Sequence, residues 1–146
     1  MKPRVLAVSS QGGHWEQLWQ LLPAFEEMDT YLVCAGAETQ NDRQVRRVVD
    51  CNRHTPIRAL VCFFQLVRIA LTLRPHFVVS TGALPGAIAL AVGRMIGART
   101  IWVDSLANAE ALSQSGRFVR PVSDLHLTQW PEVSARTGSQ YYGSLL

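Results

Sequence analysis

Short apolar, β-branched runs alternate along this chain with longer segments whose apolar residues recur at helical spacing. Arg4–Ser9 (RVLAVS) reads as a buried strand, and after a loop His14–Met28 reads as a helix. In that helix Leu18, Leu21, Leu22 and Phe25 recur at helical spacing, with Glu16, Glu26 and Glu27 elsewhere on its surface. Thr30–Ala35 (TYLVCA) is a second strand ending at Gly36, and the polar, aperiodic Glu38–Arg47 is expected as a surface loop leading into Val45–Asp50. Pro56 stands at the favoured first turn of a helix that runs to about Leu73, where Arg74-Pro75 stops it. His76–Ser80 (HFVVS) is the next strand, and Pro85–Ile96 is a helix closed by Gly97. Thr100–Asp104 (TIWVD) and the short Leu125–Thr128 are the last strands, the latter just ahead of Trp130-Pro131.

This alternation predicts the α/β class: a Rossmann-like parallel sheet covered on both faces, forming a single domain over residues 1–146. Ligands of such sheets bind outside the carboxyl ends of the strands, so the loops after Ser9, Gly36, Ser80 and Asp104 are where chemistry is expected. Nearly half of the chain is apolar (48%) and only 17% is charged, which excludes a disordered chain and supports one proper core. The net charge of +3 suits an anionic small molecule or an anionic membrane surface and falls short of a nucleic-acid footprint, so no nucleic-acid partner is expected. Cys34, Cys51 and Cys62 form no CxxC or Cys/His cluster; Cys34 and Cys62, in apolar stretches, read as small core residues in a reducing compartment, and neither a metal nor a cofactor is expected. Trp15, Trp19, Trp102 and Trp130 read as core or interface. Met1-Lys2-Pro3-Arg4 leads straight into the first strand, without a signal-peptide pattern, and no run reaches the ~20 uninterrupted apolar residues of a spanning helix. A cytoplasmic protein with peripheral membrane contact is the expectation.

Two loops stand out. In Ser9–His14 the pair Gly12-Gly13 lets the backbone approach a ligand, and the helix behind it offers free N–H groups and a positive dipole. This loop matches neither the dinucleotide GxGxxG nor the Walker pattern. His14, at the helix start, is placed to act as a base in the cleft, with Ser10, Gly12 and Gly13 as substrate contacts; a tight turn with His14 as a cap is the alternative. The second loop, Ser80–Gly86, repeats the design: Gly82 and Gly86 permit close approach, while Ser80 and Thr81 supply hydroxyls for phosphate or sugar. Two such turns in one small domain suggest a diphosphate between them.

Asp104, at the end of a strand, is a second candidate base or sugar-hydroxyl acceptor, with Ser105 as a substrate contact and helix capping as the alternative. The helix Ile57–Leu73 is apolar over most of its circumference, with Arg58, Gln65, Arg68 and Thr72 on one narrow face. Such a helix must bury more than one face. Either the core takes them all, or Phe63 or Phe64 with the flanking Arg58 and Arg68 lies on a membrane or a partner.

The motifs Ser10-Gln11-Gly12-Gly13-His14, Ser80–Gly86 (STGALPG), Asp104-Ser105, Thr128–Glu132 (TQWPE) and Tyr141-Tyr142-Gly143 follow one another in an order that resembles a known family. It is the membrane-recruiting subunit family of the two-part UDP-N-acetylglucosamine transferase of dolichol-linked oligosaccharide synthesis. Since the chain begins at its first strand, the resemblance is to the bacterial exopolysaccharide and capsule type without an N-terminal anchor. The resemblance covers Val5 to Gly143 and implies the N-terminal half of a GT-B glycosyltransferase. Such a half binds a lipid-diphosphate acceptor at the inner face of the cell membrane, while a small donor-binding partner subunit holds the UDP-sugar. The family's glycine loops match Gly12, Gly13 and His14, then Ser80, Thr81, Gly82 and Gly86; its acidic turn matches Asp104. Where the family often has Ser-Phe-Ala-Arg, this chain has Ser105-Leu106-Ala107-Asn108, without the bidentate arginine. The implied reaction is a one-step inverting transfer with His14 or Asp104 as base. The alternative is a non-catalytic membrane scaffold that anchors and activates a separate transferase subunit.

Overall fold

A computed structural model describes residues 1–36 and 45–145. Seven parallel strands form one sheet: β1 (Arg4–Ser10), β2 (Asp29–Ala35), β3 (Val45–Val48), β4 (Phe77–Gly82), β5 (Arg99–Val103), β6 (Leu125–Thr128) and β7 (Gln140–Tyr141), in the order β3-β2-β1-β4-β5-β6-β7. The helices are α1 (Gly13–Leu21), α2 (Pro56–Leu73), α3 (Leu84–Met95), α4 (Gln114–Val119) and α5 (Pro131–Thr137). The Rossmann-like parallel sheet expected from the sequence is the architecture observed.

Alternation along β1 sends its side chains to two cores. Val5 and Ala7, with Leu32, Cys34 and Val79, pack under Trp15 and Leu18 of α1. Leu6 and Val8, with Val33, Val78 and Trp102, pack under Cys62, Leu66 and Ala70 of α2 and Ala87 and Leu90 of α3. Both faces are therefore covered, which is why the central strands read as continuous apolar runs. Cys34 and Cys62 are buried, as expected for core residues, and so is Cys51. Burial pushes the Cys62 thiol up to about 12 and raises that of Cys51 as well.

Several elements differ from the sequence reading. The helix expected over His14–Met28 ends at Leu21 and continues as a tighter 3-10 turn, Leu22–Phe25. Pro23 explains the break, because it has no N–H and its ring obstructs the carbonyl four residues back. Of the loop expected over Glu38–Arg47, the part up to residue 44 lies outside the described residues, while Val45–Arg47 belong to β3. The short α4, α5 and β7 carry too few residues to show a period.

The order of the strands fixes where a ligand belongs. From β1 the chain builds outward to β2 and β3, then returns to β4 on the other side of β1. The order reverses between β1 and β4, and it is outside the carboxyl ends of the strands at such a point that these sheets bind ligands. The two loops singled out above leave from those two strands.

Candidate functional site

The first loop is held by the hydrogen bond from Gln11 N to Ala35 O (3.2 Å) and turns at Gly12, whose φ of +85° favours glycine. Gly12 and Gly13 are exposed, and the space beside both is open. Gly12 precedes α1 and Ala83 precedes α3, and neither helix start is capped by a side chain. Two sets of first-turn N–H groups without side-chain caps therefore follow the carboxyl ends of β1 and β4, the arrangement that suits an anion. Ser10 ends β1 and is buried.

His14 ties the two loops together. Its Nδ1 lies 3.0 Å from the carbonyl oxygen of Thr81, and Thr81 Oγ1 donates back to the carbonyl of His14 at 2.5 Å. A carbonyl can only accept, so Nδ1 carries the proton and Nε2 of the neutral ring keeps its lone pair. Gly82 makes this possible: a Cβ there would collide with the His14 ring, and its φ of +134° disfavours any side chain. Gly86 has a related task, since a Cβ there would strike Ser80 Oγ.

Several expected contacts are turned inward. Ser80 and Thr81 are fully buried; Ser80 Oγ accepts from Gly82 N at 3.1 Å, and the Thr81 hydroxyl is spent on His14. What the second loop offers a ligand is backbone rather than the two hydroxyls. Asp104 is only 1% exposed, and its carboxylate accepts from Trp102 Nε1 (3.0 Å), Ser113 N (2.9 Å) and Ser113 Oγ (2.6 Å). Ser113 in turn caps α4 by accepting from Gly116 N at 2.9 Å. Asp104 is thus a buried brace for the segment leading into α4. Of the two candidate bases, Asp104 is engaged by buried donors, whereas His14 is half-buried at the start of α1 with Nδ1 on the Thr81 carbonyl.

Ser105 is also buried, with its hydroxyl accepting from Gln17 Nε2 (3.1 Å) and Ala107 N (3.2 Å). Gln17 Oε1 accepts from Leu106 N at 3.1 Å and from Gln129 Nε2 at 2.7 Å. Gln129 Nε2 also lies 3.0 Å from Asp104 O, and Trp130 Nε1 donates to Leu106 O at 2.7 Å. This net carries the third loop onto α1, one helical turn from His14. Sequence reasoning passed over Gln17; the available signal was a polar residue three positions after His14, on the same helix face.

Another histidine, this one buried, supports the same region. His126 Nε2 donates to Gly116 O at 2.7 Å, and Nδ1 accepts from Ser139 Oγ at 2.8 Å. Burial holds its pKa below the ordinary value and keeps the ring neutral, outweighing the opposing effects of Gly116 and Asp104.

α2 resolves differently from the default of full burial. Cys62, Leu66 and Ala70 form its buried stripe, while Ile57, Leu60, Val61, Phe64 and Leu71 remain in solvent. By length and composition this helix would cross a membrane, but its stripe is part of the core of the sheet. It can therefore lie on a bilayer without leaving the fold. Arg58 and Arg68 are exposed on it, and Gln65 accepts from Val49 N at 2.8 Å. Of the two expected contact rings, Phe64 is exposed; Phe63 packs partly against the core and meets Phe64 edge-on, with ring centres 5.4 Å apart.

A Rossmann-like parallel sheet with helices on both faces defines the fold class, and solved structures share that fold. MurG of Acinetobacter baumannii superposes with a TM-score of 0.76 at 11% identity, over 90% of this chain and 43% of that one. The UDP-N-acetylglucosamine 2-epimerase of Rickettsia bellii gives 0.77 at 11% identity, over 99% and 46%. The sequence is more specific: residues 37–145 match the family described as "Oligosaccharide biosynthesis protein Alg14 like", and the chain belongs to it. Among curated relatives, the UDP-N-acetylglucosamine transferase subunit ALG14 of Yarrowia lipolytica is 29% identical over 114 residues, covering 73% of this chain and 53% of that protein. The subunit of the same name from Eremothecium gossypii is 33% identical over 100 residues, covering 62% and 45%. The chain spans about half the length of these relatives. They are fungal transferase subunits, so the exopolysaccharide type expected from the sequence draws no support from them.

Proposed function

We propose that this chain is the acceptor-side half of a heteromeric, inverting UDP-sugar glycosyltransferase that works at the cytoplasmic face of a membrane. A lipid-linked saccharide diphosphate places its phosphates against the backbone N–H groups at Gly12-Gly13 and at Ala83-Leu84. Its reacting hydroxyl faces a partner subunit that holds the donor. His14 Nε2 takes the hydroxyl proton as that oxygen bonds to the anomeric carbon. The bond from that carbon to the UDP oxygen breaks, and UDP leaves with the electron pair. The names of the curated relatives make UDP-N-acetylglucosamine the first donor to test. The exposed face of α2, with Phe64, Arg58 and Arg68, provides the membrane contact.

The observation that carries this reading is the His14–Thr81 brace, which fixes a free Nε2 beside two uncapped helix starts at the switch point. Family membership supplies its context. The test is to co-express the chain with candidate Rossmann-like partner subunits and assay sugar transfer from UDP-N-acetylglucosamine to membrane lipid diphosphates. Transfer that requires both chains supports the proposal, and transfer by the partner alone refutes it. A scaffold without catalytic residues is the second reading. It is favoured by the inward engagement of Asp104, Ser80 and Thr81, and it requires full activity without His14.

A further inference from the structure

A concave space of about 680 Å3 lies beside the second glycine loop, between the segment that follows β3 and helix α4. Cys51, Arg53 and His54 line it from the segment after β3, Ala83 and Leu84 from the second glycine loop, and Phe118 from α4. Phe118 is 81% exposed, an aromatic ring held in water at the mouth of the space. The Arg53 wall is preformed: Asn52 N donates to Thr55 Oγ1 (2.9 Å), His54 N donates to Asn52 Oδ1 (2.8 Å), and Arg53 Nε donates to His54 Nε2 (3.1 Å). Among the described residues that line the space, none is acidic.

We propose that this cavity receives the first part of the apolar chain of the lipid diphosphate, with the anionic head beside Arg53 and His54 and the chain between Leu84 and Phe118. The inference rests on the acceptor reading given above. Charge complementarity selects the occupant: a cationic rim beside apolar walls, free of carboxylates, fits an amphiphile with an anionic head. Continuity supports it twice. Ala83 and Leu84 belong both to this cavity and to the second glycine loop, where the diphosphate is proposed to sit. The Arg53 wall runs directly into α2, whose exposed Ile57, Leu60, Val61 and Phe64 lie toward the same end of the helix. A bilayer surface alone would need the convex face of α2 but no concave space behind it. The chain would leave the bilayer along α2 and enter the site from that side.

The test is calorimetric titration of the full chain, alone and with its partner subunit. Farnesyl diphosphate below its micelle concentration and inorganic diphosphate serve as probes. Farnesyl diphosphate is expected to bind at least tenfold more tightly than inorganic diphosphate. Phe118→Asp, at an exposed position where the fold does not depend on the ring, is expected to remove that advantage and leave inorganic diphosphate unchanged. Arg53→Glu is expected to weaken farnesyl diphosphate at least threefold. Equal affinity for the two probes, with inorganic diphosphate bound, overturns the cavity and spares the glycine-loop cradle. Farnesyl diphosphate bound in a Phe118-dependent way without any binding of inorganic diphosphate does the reverse. If Phe118→Asp reduces binding to phosphatidylglycerol vesicles but not to farnesyl diphosphate, the ring is a membrane contact and the cavity inference falls. Failure of both probes to bind overturns both.

Discussion

His14 and Thr81, 67 positions apart in sequence, hold each other through a reciprocal pair of hydrogen bonds, imidazole Nδ1 to the Thr81 carbonyl and Thr81 hydroxyl to the His14 carbonyl. One bond orients the ring, and the other fixes the loop that orients it. Replacing His14 with alanine is expected to lower turnover of the assembled transferase by about 10²- to 10⁴-fold, the range for loss of a general base. Co-purification with the partner should be unchanged. Wild-type rates would favour the scaffold reading.

Gly82 should behave as part of the same device. Gly82→Ala puts a methyl group into the His14 ring at a φ of +134°, so the ring must move or the loop must shift. The expected cost is about 1–3 kcal/mol of stability, from a strained backbone position. Activity should fall far more than the small loss of folded protein explains. Thermal unfolding and rate measurements on one preparation separate the two effects.

Asp104→Asn tests the brace directly. The amide group meets Trp102 Nε1, Ser113 N and Ser113 Oγ, so donor is set against donor in a nearly dry site. A loss of about 1–3 kcal/mol is expected from the unsatisfied groups. If the residue is structural, the pH dependence of the remaining activity keeps its wild-type shape. A lost acidic or basic limb would return Asp104 to the list of bases.

His126 makes stability depend on pH. Its pKa in the folded protein lies below the unfolded value of 6.5, so the unfolded chain takes up a proton first as pH falls. The contribution is fully present above 6.5 and is lost as pH drops through the depressed folded value. Urea unfolding at pH 8 and pH 5 should show this loss. His126→Gln should lower stability at pH 8 and flatten the difference between the two conditions.

The two phenylalanines of α2 should separate membrane binding from folding. Phe64→Asp, at an exposed position, is expected to reduce flotation with anionic vesicles several-fold and leave the unfolding midpoint nearly unchanged. Phe63→Ala, which strips a ring packed against the core, should lower the midpoint instead. Equal vesicle binding by Phe64→Asp and the wild type would exclude this face as the contact.

Much of this fold is local in origin. Alternating runs of apolar residues, Pro56 at the start of α2, Arg74-Pro75 after it and glycines at the loop turns act over a few neighbours, and they fixed the main strands, the longer helices and the two glycine loops. The local pattern could not decide what depends on distant partners. Asp104 and the Ser80 and Thr81 hydroxyls look like chemistry when read along the chain, because a carboxylate or hydroxyl at the end of a strand is exposed by default. Folding placed Ser113 and Trp102 against Asp104 and the His14 backbone against Thr81, and the groups were consumed there. The same holds for Phe63 and Phe64: helical periodicity makes both apolar, and only the position of the sheet decides which one meets water. Periodicity is encoded by neighbours in sequence, whereas desolvation is set by neighbours in space. The sequence by itself therefore determined where the two glycine loops and the strand-end Asp104 fall along the chain, and the tertiary structure decided that Asp104 is spent on buried donors while His14 is held on Thr81 at the start of α1.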